Sequence, residues 1–203
     1  MADFPSDMPA ELSERLSASD AALAARVACG DAEALRPLYQ RHRGTVYRFA
    51  LLWSGSAATA ADVTQDVFVH LLAHAGDYEP TRGPLLPWLL GIARNLAYRR
   101  TGIDARYAPE EDGNEPEAED APEASIDTER DLARLRAAIA ALPPHYRDVL
   151  VLVELAERSY AEAAAICGCE LNTVRSRLFR ARALVARSLA GPGDALRIAR
   201  GRS

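Results

Sequence analysis

Lysine is missing from this 203-residue chain, and all 24 of its basic residues are arginine. A GC-rich coding sequence accounts for the bias. It also leaves every basic contact to a planar fork of donors suited to phosphates and guanine edges. Cysteine is scarce. Cys29, Cys167 and Cys169 are too few and too unevenly placed for a disulfide framework. Cys167 and Cys169 stand one residue apart, not the two of a zinc knuckle, and no second pair follows. They read as reduced structural thiols, and no metal site is expected. The longest apolar run, Leu85 to Ala93, is interrupted by Pro87 and is far too short to span a bilayer. Met1 to Leu12 is acidic and lacks the apolar segment of a signal peptide. A cytoplasmic protein without membrane insertion is expected. A glycine-rich phosphate loop and a nucleophile elbow with a histidine partner are both lacking. The expectation is therefore a protein that is not an enzyme and needs no cofactor.

What is present favours helix. Apolar residues make up 49% of the chain but aromatic ones only 6%, and alanine, leucine and arginine dominate. The net charge of −5 is unevenly spread. Pro109 to Glu129 holds ten acidic residues and no basic one, and without them the balance turns to +5. From Glu170 onward there are eight arginines against two acids. An acidic average hides a basic C-terminal end.

The stretch from Tyr107 to Asp127 is rich in Pro, Glu, Asp and Ala and has almost nothing large to bury, so it reads as a flexible linker. The chain is expected to be all-α, two small helical domains joined by that acidic tether. The boundaries are a tail over 1–20, a helical domain over 21–106, the linker over 107–128, a helix-turn-helix domain over 129–190 and a basic tail over 191–203. In the first domain a helix capped by Asp31 runs to about Trp53, with Leu35, Leu38, Tyr39, Val46, Phe49 and Leu52 on one stripe. A second starts near Ala60 with Val63, Val67, Phe68, Leu71 and Leu72. A loop over Gly76–Pro84 precedes a third, from about Pro87 to Arg100, with Gly102 as its stop.

In the second domain Leu132, Leu135, Ile139 and Leu142 mark a helix ended by Pro143 and Pro144, and another spans about Pro144 to Glu157. Ser159-Tyr160-Ala161-Glu162 is a capping box opening a short helix to Cys167. Gly168 makes a turn, and a long helix follows from about Glu170 to Leu189. Short helix, glycine turn and longer basic helix is the helix-turn-helix pattern. On the last helix Leu171, Val174, Leu178, Ala181 and Val185 form the core stripe. The opposite side presents Asn172, Ser176, Phe179, Arg180, Ala183 and Arg187, flanked by Thr173, Arg175, Arg177 and Arg182. An ordinary solvated face would mix signs to form i,i+4 pairs. This one has no acid after Glu170, which suits a major groove, where arginine reads guanine and asparagine adenine.

From Leu142 the sequence LPPHYRDVLVLVELAERSYAEAAAICGCELNTVRSRLFRARALV resembles region 4 of the extracytoplasmic-function group of bacterial sigma factors. Earlier, ADVTQDVFVHLLAHAGDYEPTRGPLLPWLLGIARNLAYRR resembles region 2 of the same group. The resemblance implies an alternative sigma factor that binds core RNA polymerase and directs promoter-specific initiation. It assigns Asn172, Thr173, Arg175, Ser176, Phe179 and Arg180 to the minus-thirty-five element. It assigns Asp62, Gln65, Asp66 and Phe68 to docking on the β′ clamp helices, although Phe68 reads equally as core. It implies that Trp88, Arg94, Asn95, Tyr98 and Arg99 meet the minus-ten element of promoter DNA, with the preceding loop forming the base pocket. Of these, Trp88 reads first as core, while Arg94 and Arg99 fit phosphate, since arginines on an otherwise apolar helix need a partner or water. The second domain is expected near the β flap, and an anti-sigma factor is implied as inhibitor.

The chain departs from the family's pattern at Leu85 and Leu86, where an aromatic and a basic residue are usual, and just after Asn95. The rival readings are a stand-alone helix-turn-helix regulator and a sigma-like decoy. His70 and His74, spaced i,i+4, lack the glutamate of the metalloprotease pattern and read as helix-surface histidines.

Overall fold

A computed structural model describes residues 19–102 and 129–190. The expected acidic linker, the basic tail and all but the last two residues of the N-terminal tail lie outside the described residues. Among the described residues every regular element is helical, as the alanine- and leucine-rich composition leads one to expect.

The first element, α1 (Asp20–Ala28), has no counterpart among the helices expected from the sequence. Ser19 caps it by accepting from the Ala22 amide, and Leu23, Ala24 and Val27 form its buried side. Asp20 ties it to the next helix, accepting from Arg41 and bonding His42 Nε2, both at 2.7 Å. Asp31 does cap a turn, but of a short 3-10 segment, Ala32–Ala34, that leads into α2 (Leu35–Ser54). Gly55 closes α2 in the left-handed region, where an L side chain is strained. Ser56 then caps α3 (Ala57–His74), which opens three residues earlier than the hydrophobic pattern suggested.

The loop over Gly76–Pro84 holds a short 3-10 turn, Pro80–Arg82, and part of another, Ala75–Asp77. It is pinned by a hydrogen bond from Tyr78 Oη to the Gly83 carbonyl. Helix α4 (Leu85–Thr101) follows and stops at left-handed Gly102. Helices α2, α3 and α4 pack on one another around Phe49, Trp53, Val63, Leu71, Leu89 and Leu90, all buried. Each such side chain contributes about 1.5–3 kcal/mol relative to exposure. Leu72, expected on the buried stripe of α3, instead stands 46% exposed.

The second block comprises α5 (Glu129–Ala140), α6 (Pro144–Leu150), α7 (Tyr160–Cys167) and α8 (Leu171–Leu189). The single helix expected over Pro144–Glu157 is not continuous. After Leu150 it widens into a π turn, Val151–Leu155, closed by the Ala156 amide on the Val151 carbonyl at 2.8 Å. Glu157 then takes a left-handed conformation, φ 54°, and ends the segment. The capping box on α7 forms in both directions, and left-handed Gly168 turns the chain into α8.

The two blocks do not stand apart. Trp53, Phe49 and Leu90 of the first and Leu142, Val149 and Leu152 of the second belong to one contiguous core. Helix α7 packs on α4, and α5 packs on α2.

Candidate nucleic-acid interface

The helix-turn-helix builds its exposed edge from the bottom up. The Ser159–Glu162 box starts α7, Gly168 sets the turn, and Val174, Leu178 and Ala181 anchor α8 in the core. That anchoring leaves Asn172, Arg175, Arg182, Ala183 and Arg187 exposed, with Thr173, Ser176, Phe179 and Arg180 half-buried beside them. The basic edge expected on this helix is therefore brought together, with two qualifications. Arg177 is turned inward and buried, and Arg182 pairs with Glu154 of the π turn. What remains offers an amide and guanidinium donors at the N-terminal end of α8, the end that enters a major groove in helix-turn-helix proteins.

Helix α4 is split into two faces. Asn95 and Arg99 are exposed, and Trp88 is half-buried against Tyr78 and His70. Trp88, Ile92 and Asn95 line one side of a cleft of about 560 Å³ whose opposite wall is Ala161, Glu162, Ala165 and Ile166 of α7. Arg94 and Tyr98, expected to face DNA, lie instead beneath the second block, 8% and 3% exposed.

Their partner is Asp148 of α6, only 1% exposed. It accepts from Arg94 Nε at 2.6 Å, Tyr98 Oη at 2.7 Å and Trp53 Nε1 at 2.7 Å. Burial works against the Arg94 charge, yet the carboxylate outweighs it and holds the guanidinium above its ordinary pKa. Burial and Asp148 together push the Tyr98 phenol up. Next to this group Arg147 donates to the carbonyls of Trp53, Ala140 and Leu142 and lies over the Trp53 ring. Burial lowers its pKa.

On α3, Asp62 and Gln65 are exposed and Asp66 is half-buried on the same side, as their spacing requires. Both carboxylates are bridged by Arg100 of α4, at 2.9 Å and 2.6 Å. Phe68 is buried, its ring edge-on to Tyr39. It floors a groove edged by Tyr39, Arg43, Gln65, Val69 and Leu72. Asp148 and Arg100 were not singled out in the sequence, and Trp53 only as an apolar position, because each acquires its polar partners from helices distant along the chain.

The paired thiols sit at the turn of the helix-turn-helix. A hydrogen bond with Cys169, then burial, keeps Cys167 well above its ordinary pKa, and the same bond lowers Cys169 to about 7. His70 and His74 stack on each other at 4.3 Å, and burial lowers the His70 pKa.

A helix-turn-helix with a basic edge, packed on a helical block, has the layout of a DNA-binding protein. Comparison with known proteins gives that class its family. Residues 38–101 match Sigma-70 region 2, and residues 132–185 match Sigma-70, region 4. The ECF RNA polymerase sigma factor SigE of Mycolicibacterium smegmatis is 36% identical over 149 residues, covering 71% of this chain and 57% of that protein. EcfG of Rhodopseudomonas palustris, an ECF RNA polymerase sigma factor, is 34% identical over 160 residues, covering 73% of this chain and 85% of that protein. Among solved structures, CnrH in complex with the cytosolic domain of CnrY superposes with a TM-score of 0.65 at 27% identity, covering 85% of this chain and 98% of that one. The sigma factor RpoE of Bartonella quintana, in complex with the anti-sigma factor NepR, gives 0.58 at 26%, covering 77% and 97%. The chain belongs to the sigma-70 family, in its extracytoplasmic-function group, and is a sigma factor for promoter-specific initiation. No helix among the described residues is long and apolar enough to cross a membrane.

Proposed function

We propose that the chain works in the cytoplasm as two functional domains, 21–106 and 129–190, on either side of the 107–128 linker, and performs no covalent chemistry. The first domain docks on the β′ clamp helices of core RNA polymerase through Asp62, Gln65 and Asp66, with Phe68 supporting the groove beside them. The second lies near the β flap and reads the minus-thirty-five element through Asn172, Thr173, Arg175, Ser176, Phe179 and Arg180. Trp88, Asn95 and Arg99, with Arg94 and Tyr98 once the two blocks separate, meet the minus-ten element. An anti-sigma factor holds the protein inactive, by analogy with RpoE of Bartonella quintana, which forms a complex with the anti-sigma factor NepR.

One observation carries this reading: a solvent-facing carboxylate pair on α3, bridged by Arg100, and an amide-and-arginine edge on α8 coexist in one chain. Carboxylates would repel phosphate, and these two already attract one arginine, Arg100, through exposed pairs worth little in themselves, which suits exchange for a basic partner on another protein.

Run-off transcription with core polymerase and a genomic promoter library tests it. Discrete transcripts sharing upstream elements are expected. Arg180→Ala should abolish or redirect them, because a good base contact carries about 1–3 kcal/mol of discrimination. Asp66→Ala should reduce them by weakening core binding. Core binding without transcripts would instead indicate a sigma-like decoy. Specific DNA binding without core binding would indicate a stand-alone regulator.

A further inference from the structure

The two blocks meet through a charge that neither could bury alone. Asp148 projects from α6 into a crevice between α2 and α4, where one indole N–H, one guanidinium N–H and one phenol O–H converge on its carboxylate. The three donors all belong to the first block and the acceptor belongs to the second. The Arg94 guanidinium also lies 4.7 Å over the Tyr98 ring, which holds both groups in place. Without Asp148, the first block carries a cationic pocket with three donors aimed at one point. Such a pocket is built for an oxyanion, and an arginine left there without one is strongly disfavoured.

The surroundings indicate which oxyanion. Arg94 and Tyr98 share α4 with Trp88, Asn95 and Arg99, the residues assigned above to the minus-ten element. The same closure that inserts Asp148 also sets α7 across the cleft from Trp88 and Asn95. The closed arrangement therefore walls in Trp88 and one side of Asn95 while it fills the anion pocket, and leaves Arg99 open to solvent. We infer that Arg94, Tyr98 and Trp53 form a binding site for a phosphodiester of the minus-ten strand, and that Asp148 occupies it as an internal substitute while the two blocks are closed. Opening exchanges one anion for another, so the pocket is exposed only when DNA on polymerase is there to fill it. This rests on the minus-ten reading of α4 and adds to it a third donor, Trp53, and a built-in competitor.

Two sets of variants of the full-length protein test the inference. A Cβ placed on Gly55 lies 3.7 Å from the Ala140 Cβ, across the junction between the blocks, within the range that a disulfide spans. Gly55→Cys with Ala140→Cys should lock the closed form when oxidised. Because Gly55 is left-handed, φ 68°, and a side chain there is strained, the reduced pair must first show native helix content and transcription. Core binding should persist, while run-off transcription falls on the order of tenfold or more and returns on reduction. Asp148→Asn should act in the opposite sense. It should raise affinity for a single-stranded minus-ten oligonucleotide in the absence of polymerase, read by fluorescence anisotropy, on the order of tenfold. Adding Arg94→Gln should remove that gain. Full transcription from the oxidised pair, with the disulfide verified by peptide mapping, would overturn the inference. So would a gain in Asp148→Asn that survives Arg94→Gln, or no gain at all in a folded Asp148→Asn protein. If that variant does not fold, the disulfide pair decides alone. Failure of the underlying sigma reading looks different, because the unsubstituted protein would then give no promoter-dependent transcripts.

Discussion

Arg147 shows how much one side chain can carry when it is buried among carbonyls. Its guanidinium closes the ends of two helices, donating to Trp53 in the last turn of α2, to Ala140 at the end of α5 and to Leu142 just beyond. Those carbonyls have no further helical donor and would otherwise be left dry. Arg147→Ala is expected to lose about 3 kcal/mol or more in urea denaturation. Arg147→Lys should recover only part, since an ammonium cannot reproduce the planar fork. A loss within error for the alanine variant would mean that water replaces the side chain. The two thiols give a second test at this scale. With Cys169 lowered to about 7 and Cys167 raised, alkylation followed by peptide mapping should label Cys169 in proportion to its thiolate, rising through pH 7. Cys167 should stay nearly unlabelled until the protein unfolds. Equal labelling at neutral pH would contradict the hydrogen bond that sets the pair apart. None of these roles was legible in the sequence. Arg147 and Asp148 are ordinary members of a helix until Trp53, Arg94 and Tyr98 arrive from 50 to 95 residues away.

Whole elements were legible where their causes are local. The capping box of α7 lies within four consecutive residues, and the glycines ending α2, α4 and α7 need only the left-handed backbone. Ser159→Ala should therefore cost about 1 kcal/mol in a thermal or urea melt, and a neutral result would show that the bond from the residue-159 amide to the Glu162 carboxylate suffices. Where the cause is tertiary, the sequence is silent. Helix α1 is nine residues long with a narrow apolar side, and it depends on the Asp20 bonds to α2. The π turn interrupts a stretch whose composition is that of an ordinary helix. Leu72 fits the helical stripe, but it stands at the rim of the groove that Phe68 floors, with none of the described helices packed over it. Arg100 is a similar case, because its bridge to Asp62 and Asp66 joins α4 to α3. Exposed pairs of this kind contribute little to stability, so Arg100→Ala should leave the melting temperature nearly unchanged. On the proposed docking role of Asp62 and Asp66, Arg100 competes with polymerase for these carboxylates, and its removal should tighten core binding, by no more than about fivefold and only at low salt. Weaker binding would mean that Arg100 itself touches polymerase.

At the scale of the molecule, the two blocks share a core that spacing along either block gave no reason to expect. Trp53 is fully buried beneath residues of the second block, and Trp88 lines the cleft facing α7. The only two tryptophans of the chain therefore both report on the junction. While the junction holds, the described helices should unfold as one unit, with tryptophan fluorescence and far-ultraviolet circular dichroism tracing the same transition. The Asp148 network makes that coupling steep. Breaking a buried ion pair from one side typically costs about 3–5 kcal/mol, a large part of the roughly 5–15 kcal/mol that holds a domain folded. In Asp148→Asn the closed form must either keep an unmatched Arg94 or open, and opening requires only that the blocks part. The two signals should then separate, with fluorescence changing at lower urea than helix content. Coincident transitions in that variant would show that the shared apolar core, and not the buried carboxylate, keeps the two halves together.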